Sequence, residues 1–337
     1  MIKRLFKKTE FIVALTTIGL SLIIGMINPT FFSLATVFDT LRSGTVVGIF
    51  ALGTMIVIIS GGIDLSFTAI AIFSLYVTTK LMLAWQYSGS VVLMYIIAAA
   101  IGTLLGLINA WLISSFKLPT MIATLGTQSL IQGFMLFFID SQYIRNIPDG
   151  MDKFAKAQWF VTDVGGGPAK TSLHPGVLIF FALVIVVWFI LKRTMIGRGI
   201  YALGGSREAA ERTGFDTKGI TVFIYAFVGF LAGIGGMTFG AYAREANPFA
   251  LVGTEMDVIA AVVLGGTAIT GGRGTVIGTL LGVLLVTIMK NSLILIGIPS
   301  AWQKVVIGII LIIGTGIPAY RSLTAKKQLN VDLAEQS

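Results

Sequence analysis

Residues 192–219 read KRTMIGRGIYALGGSREAAERTGFDTKG and separate two long apolar segments, 176–191 and 220–243. The stretch contains more lysine and arginine than aspartate and glutamate. In membrane proteins, loops with an excess of basic residues are held on the cytoplasmic side. The stretch therefore predicts a cytoplasmic loop between two membrane-spanning helices.

The middle of this loop predicts a short helix over residues 207–212. Ser206 can accept a hydrogen bond from the amides that begin the helix, and Gly214 can adopt the left-handed conformation that ends it. Glu208 and Arg212 are four residues apart, which predicts an ion pair on the helix surface. These local signals define where the helix begins and ends.

A helix this short is not stable alone in water, so it needs packing against something else. Ala209, Ala210 and Thr213 lie on one face with small side chains. This face predicts a docking surface for another protein. The residues alone leave an ordinary surface loop as an equal alternative.

The composition is that of a membrane protein with many spans. Of the 337 residues, 55% are hydrophobic and 12% are charged, and the apolar residues occur in long blocks. Forty glycines, with spacings such as Gly102 to Gly106 and Gly229 to Gly233, are typical of closely packed membrane helices. The absence of cysteine excludes disulfides and thiolate metal sites. The net charge of +9 lies mostly beside apolar segments, which favours membrane orientation over nucleic-acid binding.

The apolar segments predict an all-α polytopic protein with a single transmembrane domain over residues 1–337 and an outer loop over 140–175. We expect the first segment to be a retained helix, because no small-residue cleavage site follows it. Several segments are short or interrupted by glycine, which indicates helices that stop inside the membrane. Ten spans place both termini in the cytoplasm, and most lysines and arginines fall on that side. The predicted spans are 11–27, 44–60, 66–85, 90–113, 119–139, 176–191, 220–243, 255–270, 275–296 and 300–318.

The sequence provides no set of residues for catalysis. His174 is the single histidine and precedes Pro175, which predicts a turn residue. A phosphate-binding loop ending at Thr171 would need glycine where Val164 and Ala169 stand. We therefore expect this chain neither to be an enzyme nor to bind ATP itself.

Charged residues in or beside the spans are candidate functional residues, because each costs about 2.5–3.5 kcal/mol at mid-bilayer. Asp64 follows a Gly-Gly pair, and Glu255 and Asp257 open the eighth predicted span. Each can cap a helix or contact a solute, and capping is the favoured interpretation for Asp64. Amides and hydroxyls inside spans indicate a neutral solute or contacts between helices. The candidate pathway or helix-break residues are Ser60, Gly61, Gly62, Asp64, Asn109, Gln128, Glu255, Asp257, Asn291 and Gln303.

Two of the helix breaks are similar in sequence. Ser60-Gly61-Gly62 follows one apolar run, and Thr270-Gly271-Gly272 follows another. The match is short, so it predicts two similar breaks and leaves an internal duplication open.

Three longer motifs carry a family resemblance. They are SGGIDLS at 60–66, GRGIYALGG at 197–205, and EMDVIAAVVLGGT at 255–267 followed by Gly271, Gly272 and Gly274. From about residue 44 to 318 the chain resembles the membrane permeases of ribose-type sugar ABC importers, which include permeases for ribose, xylose, galactosides and autoinducer-2. Ser206 stands where the family usually has asparagine, and Lys290-Asn291-Ser292 replaces a more neutral pair, so the resemblance does not fix the solute.

The resemblance implies a permease subunit in the bacterial inner membrane that transports a monosaccharide or similar neutral polyol. It implies a dimer with a second copy or a paralogue, two cytoplasmic ABC ATPase subunits or domains that bind ATP and magnesium, and a periplasmic or lipid-anchored sugar-binding protein. No cofactor is implied on this chain. The implied ATPase-docking residues are Gly197, Arg198, Ala202, Gly204, Ser206, Glu208, Ala209, Ala210 and Gly214.

An ion-coupled secondary transporter of a small solute is the alternative. Such a carrier needs a membrane-embedded carboxylate or a histidine relay at the centre of transport. In this sequence Asp64 is the main residue of that kind, and its position after a Gly-Gly pair favours a structural role.

Overall fold

The computed structural model describes residues 9–163 and 170–295, together with 302, 305, 308 and 309. A two-stranded antiparallel hairpin is formed by β1 (Trp159–Asp163) and β2 (Lys170–Leu173). The helices are α1 (Thr9–Ile27), α2 (Leu34–Ile59), α3 (Phe67–Ala84), α4 (Val91–Phe116), α5 (Thr120–Phe134), α6 (Asp149–Ala155), α7 (Gly176–Arg193), α8 (Met195–Gly205), α9 (Arg207–Arg212), α10 (Thr217–Ala243), α11 (Glu255–Leu264) and α12 (Val276–Leu295).

Within the part of the chain that the structure describes, seven helices are long and apolar enough to cross a membrane, and they correspond to the first seven predicted spans. They are α1, α2, α3, α4, α7 and α10, together with α5 as extended by the π-helical residues 135–139. The second begins at Leu34 rather than at residue 44, because Ser33 caps a helix that extends beyond the apolar run. The predicted tenth span, 300–318, lies outside the described residues apart from isolated positions.

The predicted span at 255–270 is not a complete membrane helix. Its helical part, α11, has ten residues and is about 15 Å long, half of the thickness it would have to cross. A turn with positive φ at Gly266, Gly271 and Gly272 follows it. This is the kind of helix that the glycine interruptions predict, one that stops inside the bundle.

The centre of the bundle is a close contact between α4 and α10. A Cβ on Gly102 would lie 2.2 Å from the carbonyl oxygen of Gly229, and one on Gly229 would lie 2.1 Å from that of Gly102. A Cβ on Gly106 would lie 2.2 Å from the carbonyl oxygen of Tyr225. The four-residue glycine spacing thus brings two helix backbones together, as membrane helices with small residues do.

The loops fall into two groups, one at each end of the bundle. We call the end with residues 192–219 the inner end, and there the amide of Gly272 donates to the carbonyl of Ile59 at 2.8 Å. The opposite, outer end contains residues 85–90, 140–163, 170–175 and 244–254. A bridge between Ile144 and Ala246 connects two of these outer segments.

The outer loop over 140–175 has more structure than the sequence predicted. It contains α6 and the hairpin, in which Asp163 is opposite Lys170. The all-α prediction is therefore wrong for this loop, because the pairing of two short polar strands depends on a contact that neither strand indicates alone.

Candidate functional site

At the inner end, residues 192–219 form α8 and α9, which meet at Ser206. The Ser206 hydroxyl oxygen accepts a hydrogen bond from the amide of Ala209 at 3.2 Å, and Gly214 has a φ of +86°. The predicted cap and stop of this short helix are both confirmed. The corner thus holds α9 at the surface in a fixed orientation.

The predicted ion pair between Glu208 and Arg212 is wrong. Glu211 pairs instead with Arg207 at 3.4 Å, and it also accepts a hydrogen bond from the Thr217 hydroxyl at 2.7 Å. The Thr217 hydroxyl, followed by the Arg207 guanidinium, lowers the pKa of the Glu211 carboxyl. The Thr217 contact turns Glu211 toward α10, a tertiary effect that helical spacing does not contain.

The small-residue face is divided between the inside and the outside of the chain. Ala210 is 2% exposed, and its carbonyl accepts from the amide of Phe215 at 3.1 Å, whereas Ala209 is exposed. Ala210 packs within the chain, so a docking role there would act through the packing of α9, and that role stays a prediction. The exposed residues of α9 and its C-terminal end are Arg207, Glu208, Ala209, Glu211, Arg212 and Thr213.

Two of the glycines implied in docking serve packing within the chain. A Cβ on Gly197 would lie 2.3 Å from the carbonyl oxygen of Ile190, so Gly197 allows the tight turn from α7 into α8. A Cβ on Gly204 would lie 1.7 Å from the carbonyl oxygen of Ile59. Of the remaining implied positions, Ala202 is half-buried, and Arg198, Ser206, Glu208, Ala209 and Gly214 are exposed.

The two similar helix breaks touch each other and the end of α8. A Cβ on Gly271 would lie 2.9 Å from the Cα of Gly61 and 2.6 Å from the carbonyl oxygen of Gly204. We call residues 59–62, Gly204 and residues 271–272 the glycine junction. The sequence predicted two similar breaks, and the structure adds that they are in direct contact.

Asp64 belongs to a buried polar cluster beside this junction. It is 1% exposed, and its Oδ1 accepts from the backbone amide of Ser66 at 2.7 Å and from the Ser66 hydroxyl at 2.6 Å. Ser66 precedes α3, so Asp64 orders the break rather than capping amides within the helix. The predicted structural role is thus supported, but by a different set of hydrogen bonds.

Asn109 continues the same cluster across to α4 and α5. Its Nδ2 donates to the Ser66 hydroxyl at 2.7 Å, and its Oδ1 accepts from the Thr127 hydroxyl at 2.6 Å. Thr124 accepts from the amide of Leu65 at 3.3 Å. All these polar side chains are buried between helices, so in this structure they connect helices and do not line an open route.

Glu255 forms a second polar group, at the start of α11. Its Oε1 accepts a hydrogen bond from the Thr68 hydroxyl and another, at 2.9 Å, from Nε2 of Gln128. Gln128 is half-buried and Met256, the next residue on α11, is 55% exposed. This group therefore lies next to the side of the bundle on which Met256 is exposed, which we call the open face. Thr68 is a member of the group that the sequence gave no reason to select.

Asp257 is paired with Lys290 of α12, with Nζ and Oδ2 separated by 2.6 Å. The pair lines a cavity of 450 Å³ in the outer half of the bundle, together with Arg42 and Tyr242. The Arg42 guanidinium lies 5.0 Å from the Tyr242 ring centroid. The sequence singled out both Asp257 and Lys290-Asn291 but not their pairing, because 33 residues separate them.

Of the remaining candidate pathway or helix-break residues, Ser60, Gly61 and Gly62 belong to the glycine junction. Gly61 has a φ of +84°, and a Cβ on Gly62 would lie 3.1 Å from the Tyr225 hydroxyl. Ser60 donates to the carbonyl of Val57 at 2.7 Å. Asn291 is half-buried on α12, and Gln303 lies outside the described residues.

Comparison with known sequences gives a family and several relatives. The profile described as "Branched-chain amino acid transport system / permease component" matches residues 36–314. Ribose import permease protein RbsC of Haemophilus influenzae is 34% identical over 310 residues, covering 92% of each chain. RbsC of Bacillus subtilis is 35% identical, covering 87% of this chain and 88% of the relative. Autoinducer 2 import system permease protein LsrC of Photorhabdus laumondii is 28% identical over 93% of this chain and 90% of the relative. No solved structure matches the chain.

Proposed function

This chain belongs to the permease-component family whose profile it matches, and from that membership we propose that it forms the membrane pathway of an ATP-driven sugar importer. It is a permease subunit of the bacterial inner membrane, and separate subunits hydrolyse ATP. The observation that carries the proposal is the α8–α9 corner, a surface element of the inner end in a chain of this family. An element of this size gains stability by docking.

We propose a monosaccharide or a similar neutral polyol as the solute. The family description names branched-chain amino acids, whereas the relatives RbsC and LsrC are named for ribose and autoinducer 2, so the family alone does not define the solute. Two features of the chain favour a neutral one. Gln128 presents an amide beside the open face, and the charge of Asp257 is balanced by Lys290.

We propose that the solute passes along the axis of a dimer, next to α5 and the start of α11. Glu255 and Gln128 are the candidate contacts, because their group borders the open face. Asp64 and Asn109 are assigned a structural role, because their hydrogen bonds join α3, α4 and α5 in the interior.

The proposed topology has ten crossings and both termini in the cytoplasm. Glu10, near the start of α1, accepts a hydrogen bond from Thr275 at the inner end, and the basic loop 192–219 lies at the same end. The segment from 244 to 264 leads from the outer end into the bundle and supplies a broken crossing. The apolar stretch over 300–318 is long enough to return the chain to the inner side.

The proposed partners are a second permease copy or a paralogue, two ABC ATPase subunits or domains that carry ATP and magnesium, and a sugar-binding protein at the outer end. The ATPase is expected to receive the exposed face of α9. Ala209 is the best position for a test, because it is exposed and small and Ala210 is not accessible.

The test replaces Ala209 with tryptophan in the assembled transporter. Because overpacking a docked surface costs about 1–3 kcal/mol, the ATPase should co-purify about 5- to 150-fold less well, while the thermal stability of the permease is unchanged. Gln158→Trp, at an exposed position of the outer end, is the matched control and should leave co-purification unchanged. Ala210→Trp should reduce both stability and co-purification, because it enlarges a buried residue.

Two results would overturn the proposal. One is normal ATPase recovery and normal transport by Ala209→Trp. The other is transport in vesicles by the purified chain under an ion gradient without any ATPase, which would establish the ion-coupled alternative. The solute is tested separately by a ligand screen of the binding protein encoded beside this chain, and charged amino acids as its tightest ligands would end the sugar proposal.

A further inference from the structure

The end of α8 is fixed to two separate parts of the membrane bundle by backbone contacts. At Gly204, a Cβ would lie 1.7 Å from the carbonyl oxygen of Ile59 and 2.6 Å from the amide nitrogen of Gly272. These distances leave no room for any side chain between the three backbones. The contact depends on the glycine at 204, which meets the backbone of Ile59, and on the glycine at 271, which meets the backbones of Gly61 and Gly204.

Hydrogen bonds join the same three segments. The amide of Gly272 donates to the carbonyl of Ile59 at 2.8 Å, which connects the end of α2 to the turn between α11 and α12. The Tyr201 hydroxyl of α8 donates to the carbonyl of Gly274 at 2.8 Å. Each of the three segments is therefore attached to at least one other by a hydrogen bond as well as by close packing.

The two breaks lead from the junction to the two polar groups of the bundle. Asp64 and its partner Ser66 follow the break at residues 60–62. From the break at residues 265–274, α11 runs back to Glu255, which is bound to Thr68 and Gln128. A helix of ten residues therefore connects the junction to the proposed solute contacts.

The structure also has free volume next to α8. A cavity of 320 Å³ lies between the junction and α10, and Gly205, Ser206, Thr120 and Tyr225 are among the residues that line it. The end of α8 can be displaced toward this space without first displacing a packed side chain.

We propose that the glycine junction is the coupling element of this transporter, a unit in which the end of α8, the end of α2 and the α11–α12 turn move as one body. Displacement of the docked α9 by the ATPase then moves both helix breaks together. Closely packed backbones transmit such a displacement better than flexible side chains, because there is no rotamer to absorb it. This inference rests on the proposed function, and specifically on docking at α9.

The main experiment adds one methyl group to the junction. Gly204→Ala is placed in the complete transporter, and ATPase co-purification, ATP hydrolysis and solute transport are all measured. Transport per ATP hydrolysed should fall at least tenfold, and this fall should exceed any loss of ATPase co-purification, because the exposed residues of α9 are unchanged. Gly205→Ala is the matched control, because a Cβ there meets nothing within 4 Å, and it should transport normally.

A second pair of variants perturbs the junction from the other side without altering α8. Gly271→Ala should reproduce the uncoupling, because its Cβ would meet Gly61 and Gly204. Its φ of +85° adds backbone strain, so Gly253→Ala serves as the control, with a φ of +83° and nothing within 4 Å of its Cβ. Any effect of Gly271→Ala beyond that of Gly253→Ala therefore belongs to the junction contact.

A reversible crosslink tests the single-body movement without relying on a steric clash. The chain has no cysteine, so Gly205→Cys with Gly272→Cys provides the only thiols. A Cβ on Gly272 would lie 3.4 Å from the Cα of Gly205, so the two positions are adjacent, as a disulfide between them requires. The oxidised double variant should transport within twofold of its reduced form, because the two segments do not separate during the cycle.

The outcomes distinguish this inference from the proposed function. A wild-type chain that neither recovers an ATPase nor depends on one refutes the proposed function. With that established, normal transport by Gly204→Ala or Gly271→Ala refutes the coupling role, and loss of ATPase binding by either shows that the junction serves docking instead. If Gly204→Ala does not accumulate in the membrane, the crosslink decides, and a block of transport on oxidation overturns the proposal.

Discussion

The two ends of the bundle are held together in different ways. At the inner end, the amide of Gly272 meets the carbonyl of Ile59 at 2.8 Å and glycines separate the segments. At the outer end, Asp152 on α6 is shared by Arg244 and Lys156, at 2.6 and 2.5 Å. The contact at the glycine junction is backbone against backbone, whereas the ion pairs of Asp152 join solvent-exposed side chains beside the backbone bridge of Ile144 and Ala246.

This difference predicts different responses to change. Backbone contacts leave no space for an added atom, so small enlargements should have large effects at the inner end. Exposed ion pairs contribute little and are screened by salt, so losses at the outer end should be small. This contrast fits the proposed transporter, in which the inner end transmits movement and the outer end only has to keep its loops folded.

The largest effect is expected at the turn from α7 into α8. In Gly197→Val, the new side chain meets the carbonyl oxygen of Ile190 at 2.3 Å and the Cα of Leu191 at 2.7 Å. We expect a loss of about 3 kcal/mol of stability and at least a tenfold loss of ATPase co-purification. Met195→Val, at an exposed position of the same turn, is the control. Equal stability of the two variants in thermal unfolding would show that the inner end accommodates a larger side chain than its contact distances indicate.

Asp64 comes next, because its two hydrogen bonds order the break at the junction. Asp64→Ala removes Oδ1, the acceptor of both hydrogen bonds, and should cost about 1–2 kcal/mol, with a corresponding drop in the amount of folded protein. Asp64→Asn keeps an oxygen acceptor and should retain folding and transport within about twofold. The measurement is thermal stability and uptake for the two variants side by side. An Asn variant that assembles normally but transports nothing would mean that the charge itself is required.

His174, at the outer end, gives a smaller and pH-dependent effect. Its Nδ1 accepts from the amide of Gly176 at 3.0 Å and its Nε2 lies 2.9 Å from the carbonyl of Phe154, an arrangement that fits the neutral ring. Burial, followed by the nearby Arg42, lowers the pKa of His174 below 6.5. The unfolded chain therefore binds more protons than the folded one below pH 6.5, and stability falls as the pH is lowered through that range.

The test compares the wild type with His174→Gln. The wild type should lose about 1–3 °C of melting temperature between pH 7.5 and 5.5, and the variant should lose less. His174 is the single histidine, so no second one contributes in this range. Identical pH profiles for the two proteins would place the His174 pKa at its ordinary value and remove the argument from burial.

The smallest effect is expected for the exposed ion pairs of Asp152. Arg244→Ala and Lys156→Ala should each change the melting temperature by less than about 2 °C, and raising the salt concentration should reduce the difference further. The two substitutions remove separate partners of one carboxylate. A larger and salt-insensitive loss in either variant would contradict the contrast between the two ends.

Much of the architecture could be predicted from the sequence because its signals are local. The apolar runs predicted the seven long membrane helices, and Ser206 with Gly214 predicted the bounds of α9. The four-residue glycine spacing indicated the close contact of α4 with α10. The motifs around residues 60, 197 and 255 carried the resemblance that the family comparison confirmed.

The sequence was less informative wherever a role depends on contact between distant segments. Glu208 and Arg212 have the right spacing for an ion pair. The observed ion pair is instead between Glu211 and Arg207, and Glu211 also accepts a hydrogen bond from Thr217. Ala209 and Ala210 are the same residue type on the same short helix. Only packing against residues after α9 makes Ala210 buried and leaves Ala209 exposed. Glu255 was a candidate as a helix start, and its actual partners are on α3 and α5.

The sequence by itself determined that this protein crosses the membrane many times, where most of its helices begin and end, and which family it belongs to. These properties follow from interactions over a few residues, namely burial of apolar runs, capping and turns. Only the tertiary structure decided that the breaks at Gly61 and Gly271 meet at Gly204, and which alanine of α9 faces outward. Glycine has no side chain to signal a partner, so the place where three backbones meet becomes visible only when the chain is folded.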